Sequence, residues 1–300
     1  MTVDEQDWLA ERFEEHRTHL RAVAYRMLGS LSEADDAVQD TWLRLSRSDP
    51  TGVRNLGGWL TTMVARSSLD ILRSRASRRE EPLDARLPEP IVSHADTTDP
   101  EHEALLADSV GLALLVVLDK LAPAERLAFV LHDMFAVPFD QIAPIVDRSP
   151  AAARQLASRA RRRVQRAATA PDADLTRQRE VVDAFFNATH AGDFDALLAV
   201  LDPDIVLRAD RAAVPAGGPT KLRGAAAVAR QALTFARRRG RSVRPALVNG
   251  AAGVVVVVRG RPFAVMGFTV RGGRIIEIDV VADPERLRQL DLATPRTDAE

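Results

Sequence analysis

Residues 139–164, FDQIAPIVDRSPAAARQLASRARRRV, constrain this chain more than any other stretch, because they read as two short helices joined by a tight turn. Phe139, Ile142, Ala143 and Val146 recur at helical spacing and give the first helix one buried face. Asp147-Arg148-Ser149 supplies the turn. Ser149 is a natural N-cap, and Pro150 stands at the first helical position, where its missing N–H costs nothing. The second helix has Leu156, Ala160 and Val164 as its apolar stripe. Arg154, Arg159, Arg161, Arg162, Arg163 and Arg166 spread over its other faces, with no acid between Pro150 and Ala168. A DNA-recognition helix requires this arrangement: guanidinium forks for guanine edges and phosphates, and an N-terminus aimed at the duplex. A solvated basic helix is the competing reading, which the capped turn and the absence of acids disfavour. Pro144 removes one backbone donor from the first helix and predicts a bend there.

The 300-residue chain as a whole carries a net charge of −1, from 41 basic and 42 acidic residues, so affinity for nucleic acid has to come from local patches. Those patches alternate in sign. Residues 32–40 hold Glu33, Asp35, Asp36 and Asp40 with no basic residue, whereas residues 66–79 hold Arg66, Arg73, Arg75, Arg78 and Arg79 against Asp70 alone. The lack of cysteine excludes disulfides and zinc–thiolate sites and fits a reducing interior. No apolar run approaches the ~20 residues of a membrane helix, and the N-terminus lacks the pattern of a signal peptide. A cytoplasmic protein with no membrane partner, metal or cofactor is expected.

The apolar periodicity predicts nearly continuous helix over residues 8–79. Phe13 to Leu31 form one helix. A second runs through Ala34, Ala37, Val38, Thr41, Trp42 and Leu45, capped by Ser32, and a third runs from Trp59 to Leu72. Residues 82–103, with four prolines and six acids, predict an extended linker with no packed element. Helices resume over 105–120 and from Pro123 through His132, ahead of the turn motif. A break at 169–174 precedes a different texture: helices over 177–190, 194–201 and 224–238, then strands over 253–258, 263–270 and 275–281, turning at 259–262 and 271–273. That order predicts an antiparallel meander wrapping a helix, an α+β domain.

Three motifs in order resemble the extracytoplasmic-function sigma factors of bacterial RNA polymerase. Ala34-Asp35-Asp36-Ala37-Val38-Gln39-Asp40-Thr41-Trp42-Leu43-Arg44 is similar to the family's polymerase-clamp helix. Trp59-Leu60 through Arg73 is similar to its −10 segment, and Leu121-Ala122-Pro123-Ala124-Glu125-Arg126 leads into its −35 reader. Residues 177–290 resemble a SnoaL-like domain, the cone-shaped α+β fold shared with ketosteroid isomerases and nuclear transport factor 2. One group of these sigma factors carries such a domain at its C-terminus. Leu87-Pro88-Glu89-Pro90 resembles that group's linker motif, and Asp283-Pro284-Glu285-Arg286-Leu287 its terminal motif. Asp210-Arg211-Ala212-Ala213 departs from the group's Asp-Gly-Gly-Gly loop. The fold class implied is multidomain: two all-α sigma domains, the second with a helix-turn-helix, then the SnoaL-like α+β cone. The expected boundaries are 8–80 for region 2, 81–104 for the linker, 105–168 for region 4 and 175–290 for the SnoaL-like domain.

The resemblance implies core RNA polymerase and promoter DNA as partners. Asp36, Gln39 and Asp40 share a helical face that would meet the polymerase. Arg66, Arg73 and Arg75 would meet −10 phosphates, Asn55-Leu56-Gly57-Gly58 would be the base-reading loop, and Trp59 reads as core or as a stacking platform. Ser149 would cap the −35 helix, where Arg154, Gln155, Ser158 and Arg159 match positions that reach base edges and Arg162 and Arg163 suit phosphates. The acidic linker is either an inert tether or a strand mimic that threads toward the polymerase active site. In the last domain His190, Asp210, Glu277 and Asp279 are the candidate acids and bases, though they form no assignable pair. The favoured reading is regulation in cis, with Asp283, Pro284 and Leu287 as its contacts and a small-molecule ligand as an open question. A free-standing helix-turn-helix regulator and a SnoaL-type enzyme with a DNA-binding appendage are the alternatives.

Overall fold

The computed structural model describes residues 3–47, 55–77, 87–93, 111–167, 172, 174–236 and 241–290. The chain divides into two compact units, each discontinuous in sequence. The first comprises residues 1–82 and 114–168, the second residues 83–113 and 169–300.

In the first unit, α1 (Val3–Leu28), α2 (Leu31–Leu45) and α3 (Leu56–Ser77) pack against one another. Leu20, Val23, Met27, Leu45, Leu60, Val64 and Leu69 form the core between them, as the three- and four-residue spacings predict. Gly29, at φ +68°, reverses the chain after α1. The cap of α2 is Ser30, whose Oγ accepts from the Glu33 N–H at 3.3 Å. Ser32, expected as the cap, lies one turn residue inside the helix and only meets the Ser30 hydroxyl at 3.0 Å. Leu56, Gly57 and Gly58, expected in a loop, form the first turn of α3. Asn55 caps it, its Oδ1 accepting from the Gly58 N–H at 2.9 Å.

Helix α4 (Leu112–Asp119) follows the linker; its expected beginning at 105–110 lies outside the described residues. Helix α5 (Pro123–Phe129) passes into one π-helical turn, Val130–Met134. The helix pair is α6 (Phe139–Val146) and α7 (Pro150–Ala167), and α6 runs through Pro144 as one element. Asp147 ends α6 in the left-handed region at φ +55°, a conformation a short polar side chain tolerates. Arg126 is buried in this unit. It pairs with Asp119 and donates Nε–H to the Arg26 carbonyl at 3.2 Å, tying α5 to the end of α1.

The second unit is a seven-stranded mixed sheet of order β1-β4-β5-β6-β7-β2-β3. Its strands are β1 (Val92–Ser93), β2 (Leu201–Ala209), β3 (Lys221–Arg223), β4 (Arg241–Val248), β5 (Ala251–Val258), β6 (Arg261–Arg271) and β7 (Arg274–Val281). The expected three-strand meander is the β5-β6-β7 part of it. Asn249-Gly250, Arg259-Gly260 and Gly272-Gly273 all have positive φ, as two-residue hairpin turns require. Strand β2 breaks the meander by pairing with β7 in parallel. Helices α8 (Leu175–Ala191), α9 (Phe194–Val200) and α10 (Ala225–Ala236) cover one face. Their core is Val182, Phe185, Leu197, Leu201, Ile205, Val228, Val254, Val256, Phe268 and Ile278. Helix α11 (Pro284–Gln289) follows the last strand.

The linker expectation needs correction. Its described part packs into the second unit: Leu87, Ile91 and Val92 are buried, and Val92–Ser93 pairs antiparallel with Val248 and Leu247. Asn249 completes the seam, its Oδ1 accepting the Ile91 N–H at 3.0 Å and its N–H donating to the Ile91 carbonyl at 2.8 Å. Local composition, rich in proline and acid, hid a strand whose partner lies some 150 residues away. The remainder of the predicted linker lies outside the described residues.

Candidate nucleic-acid interface

Helix α7 buries Ala153, Ala157, Ala160 and Val164 against the rest of the first unit. Three alanines on that face let it approach closely, and Leu156, expected in the stripe, is only half-buried. The opposite face therefore points to water, and it carries Gln155, Arg159, Arg162 and Arg166, all exposed, at spacings of four, three and four. At the entrance, the Ser149 Oγ accepts the Ala152 N–H at 3.2 Å, so the expected cap is in place. Ser158 is half-buried beside this face.

The arginines of α7 are sorted by partner. Arg159 and Arg163 both pair with Glu125 of α5, at 3.1 and 2.7 Å, and Arg161 pairs with Asp133 of the π turn. Arg154 lies over the Phe139 ring, 5.2 Å from its centroid, and the same ring stacks with His132 at 3.9 Å. For Arg162 and Arg166 no ion pair is found among the described residues. Nothing in the local sequence marks Glu125, Asp133 or Phe139 as site residues. Only the lack of acids within α7 hinted that its counter-charges must come from elsewhere.

The acidic patch on α2 is largely committed within its own unit. Arg21 holds Asp35 at 2.7 Å, Arg75 pairs with Glu33, and Asp40 receives the Ser67 hydroxyl and pairs with Arg44 at 3.0 Å. Asp36 and Gln39 remain on the exposed face. On α3, Arg66 is exposed, Arg73 lies 3.8 Å from Asp70, and Trp59 is half-buried. Arg75 differs from its neighbours. It donates to the Leu28 carbonyl at 3.2 Å besides pairing with Glu33, which fastens α3 to the α1–α2 corner.

In the second unit, a cavity of about 290 Å³ lies between the sheet and its helices. Phe185, Phe186, Leu207, Phe235, Val256 and Met266 are among its walls, and Thr189, His190, Gln231 and Arg241 are its polar lining. His190 Nδ1 faces the Phe186 carbonyl at 2.7 Å, and the Arg241 guanidinium sits 3.6 Å over the Phe235 ring. Glu277 and Asp279 are elsewhere. Leu207, Ala209 and Val280 face the cavity, so strand alternation turns Arg208 and Asp279 to the other side of the sheet. There Arg208 meets Glu277 at 2.7 Å and Asp279 at 3.0 Å. Burial, and secondarily the neighbouring Glu277, push the Asp279 carboxyl up to about 6 against the pull of Arg208. Burial works against the Arg208 charge, but the two carboxylates outweigh it and raise its pKa above the ordinary arginine value. Arg208 escaped the sequence reading because β2 did.

Asp210 is neither in the cavity lining nor exposed. Its Oδ1 accepts the Ala213 N–H at 3.0 Å, and its Oδ2 accepts from Ala282 and Asp283 at 2.8 and 2.9 Å. Asp283 in turn caps α11, accepting from Glu285 and Arg286, while Pro284 occupies the first turn and Leu287 is buried. Arg286 reaches back to the linker motif, donating to the Leu87 carbonyl at 2.6 Å.

Residues 12–78 match the family model for Sigma-70 region 2, and residues 111–164 that for Sigma-70 region 4. The chain is 39% identical over 287 residues to "ECF RNA polymerase sigma factor SigJ" of Mycobacterium tuberculosis, covering 91% of each protein. It is 33% identical over 294 residues to "Probable ECF RNA polymerase sigma factor SigI" of the same species, covering 96% of this chain and 98% of the relative. The crystal structure of M. tuberculosis SigJ superposes with a TM-score of 0.75 at 36% identity, over 95% of this chain and all of that one. The match extends through the sheet-containing α+β unit.

Proposed function

The chain belongs to the ECF RNA polymerase sigma factors, and from that premise we propose how its parts divide the work. Core RNA polymerase is met by the exposed side of α2, through Asp36 and Gln39, with Asp40 holding α2 on α3. Promoter DNA is met twice. Arg66 and Arg73, together with Trp59 and the Asn55-capped start of the same helix α3, face the −10 strand, whereas Arg75 serves the fold. Helix α7 enters the −35 major groove, with Arg154, Gln155, Ser158 and Arg159 toward base edges and Arg162 toward phosphate.

The observation that carries this reading is the outward stripe of α7: a capped helix whose buried face is three alanines and Val164 and whose exposed face is cationic and free of acids. Its test is transcription in vitro. Purified chain added to core polymerase initiates at a promoter that core alone ignores, in the cytoplasmic setting where polymerase works. Failure to do so, with and without the second unit, overturns it.

The second unit is read as a regulator in cis, without catalysis. What supports this is the linker segment in its sheet and the absence of a carboxylate among the described residues lining its cavity. The volume lies near the lower bound of small-ligand pockets, ~300 Å³, and favours a mostly apolar ligand that meets His190, Gln231 or Arg241. An acid–base enzyme would need a titratable acid aimed inward, whereas Asp279 faces away. Turnover of a steroid-like or polyketide substrate that is lost on His190→Ala would overturn the non-enzymatic reading.

A further inference from the structure

Glu125 stands in the first turn of α5 with only 8% of its side chain exposed, although it bears a charge and belongs to no part of the DNA-facing helix. Both of its oxygens are engaged, one by each of two arginines a turn apart on α7. Arg159 Nε lies 3.1 Å from Oε1 as an ion pair, and Oε2 accepts from Arg163 Nη1 at 2.7 Å. The arginines themselves are half-exposed, at 51% and 57%.

The atoms chosen matter. Arg159 approaches the carboxylate most closely through Nε, and its side chain is half-exposed. An unsupported arginine at the surface samples many rotamers and loses that freedom when it binds a base edge. A fork oriented by a buried carboxylate has lost it beforehand, and its geometry admits a guanine O6/N7 edge better than other edges. Arg163, tied to the same carboxylate, is withdrawn from the free phosphate-binding cations.

We infer that Glu125 is a positioning residue for promoter reading, which orients Arg159 toward one base pair and restrains Arg163 from nonspecific phosphate contact. This rests on the proposal that α7 reads the −35 element. It departs from that proposal in placing one determinant of sequence preference on α5, outside the recognition helix.

The test uses the full chain with core polymerase. Wild-type holoenzyme first selects a preferred −35 sequence from randomised duplex. Glu125→Gln, Arg159→Ala and the double variant are then compared on that sequence and on its single-base replacements, over a salt series. Arg159→Ala is expected to lower discrimination by about tenfold at one position. Glu125→Gln is expected to lower it at that same position only, to steepen the salt dependence by about one released counterion as Arg163 is freed, and in the Arg159→Ala background to add no further loss of discrimination. A purely structural role for Glu125 would instead weaken all sequences alike and persist in that background, which overturns the inference. Unchanged discrimination in Glu125→Gln beside a positional loss in Arg159→Ala overturns it too, while leaving α7 as the reader. Wild type without any −35 preference overturns the underlying reading and this inference together. Should Glu125→Gln melt below assay temperature, Glu125→Asp, which keeps the charge but retracts the oxygens, carries the same comparison.

Discussion

The Asp210 carboxylate accepts the backbone N–H of Asp283 at 2.9 Å, so the residue that opens the turn after β2 also fixes the start of the terminal helix. The same oxygen takes the Ala282 N–H, and the other takes that of Ala213. Both anchoring N–H groups are stranded when the carboxylate is removed. Asp210→Ala is therefore expected to destabilise the second unit by about 2–6 kcal/mol, at ~1–3 kcal/mol for each of the two groups left without a partner. Urea unfolding of the full chain checks the magnitude. In transcription, Asp210→Ala and removal of residues from Asp283 onward are expected to shift output in the same direction, since both detach Leu287 and Arg286 from their places.

The Arg208–Glu277–Asp279 cluster sets a pH dependence of unusual sign. Asp279 binds its proton more tightly folded than unfolded, because burial raises its carboxyl to about 6. Stability from this group is thus present below the ordinary aspartate value and declines as pH rises through about 6. Asp279→Asn is expected to flatten that decline, which amounts to roughly 3 kcal/mol at 1.36 kcal/mol per unit. Urea midpoints of wild type and variant at roughly pH 3.5, 5 and 7, which bracket the two limits, test it. A variant whose stability tracks wild type at every pH would remove Asp279 from the account.

The linker strand is held by few contacts, and Asn249 makes two of them. Asn249→Ala leaves the Ile91 N–H without its acceptor and loses a side chain suited to φ +50°. A loss of about 1–3 kcal/mol is expected. Hydrogen exchange at Ile91 and Val92 should quicken more than at Val256 in mid-sheet, and equal acceleration everywhere would show that the strand is no separate element.

Arg162 lies on the outward stripe of α7 with no ion pair among the described residues. Arg162→Ala is expected to weaken promoter binding about equally on preferred and altered −35 sequences, and to lower the salt slope by about one. Loss confined to one base position would make it a reader and not a phosphate contact.

The helices of the first unit were legible because their apolar residues recur at one spacing over long stretches. The helix pair was legible to the residue, since Ser149 and Pro150 mark its turn. Strand β2 was not, because Leu201-Asp202-Pro203-Asp204 follows a helix directly and looks like its frayed end. Strand β4 carries Pro245 and two arginines, which blur its alternation, although Asn249-Gly250 just after it is a strong hairpin signal that the reading left unused. For the candidate interface, sequence supplied the cations but not their allegiance. Arg75, Arg159 and Arg163 look alike along the chain, and only the fold brings Glu33 and Glu125 to them. The carboxylates at 277 and 279 were visible, but which side of the sheet they face depends on a register no local pattern discloses.

Because residues 87–93 precede region 4 in sequence yet belong to the sheet built after it, the C-terminal portion is no detachable appendage. Cutting the chain near residue 168 deletes the wall behind Leu87, Ile91 and Val92 and strands three greasy side chains in water, in the stretch of sequence between regions 2 and 4. A shortened protein thus differs from the whole in two respects at once, a missing regulator and a newly adhesive tether. Replacing those three positions with polar residues in the shortened form would pull the two effects apart.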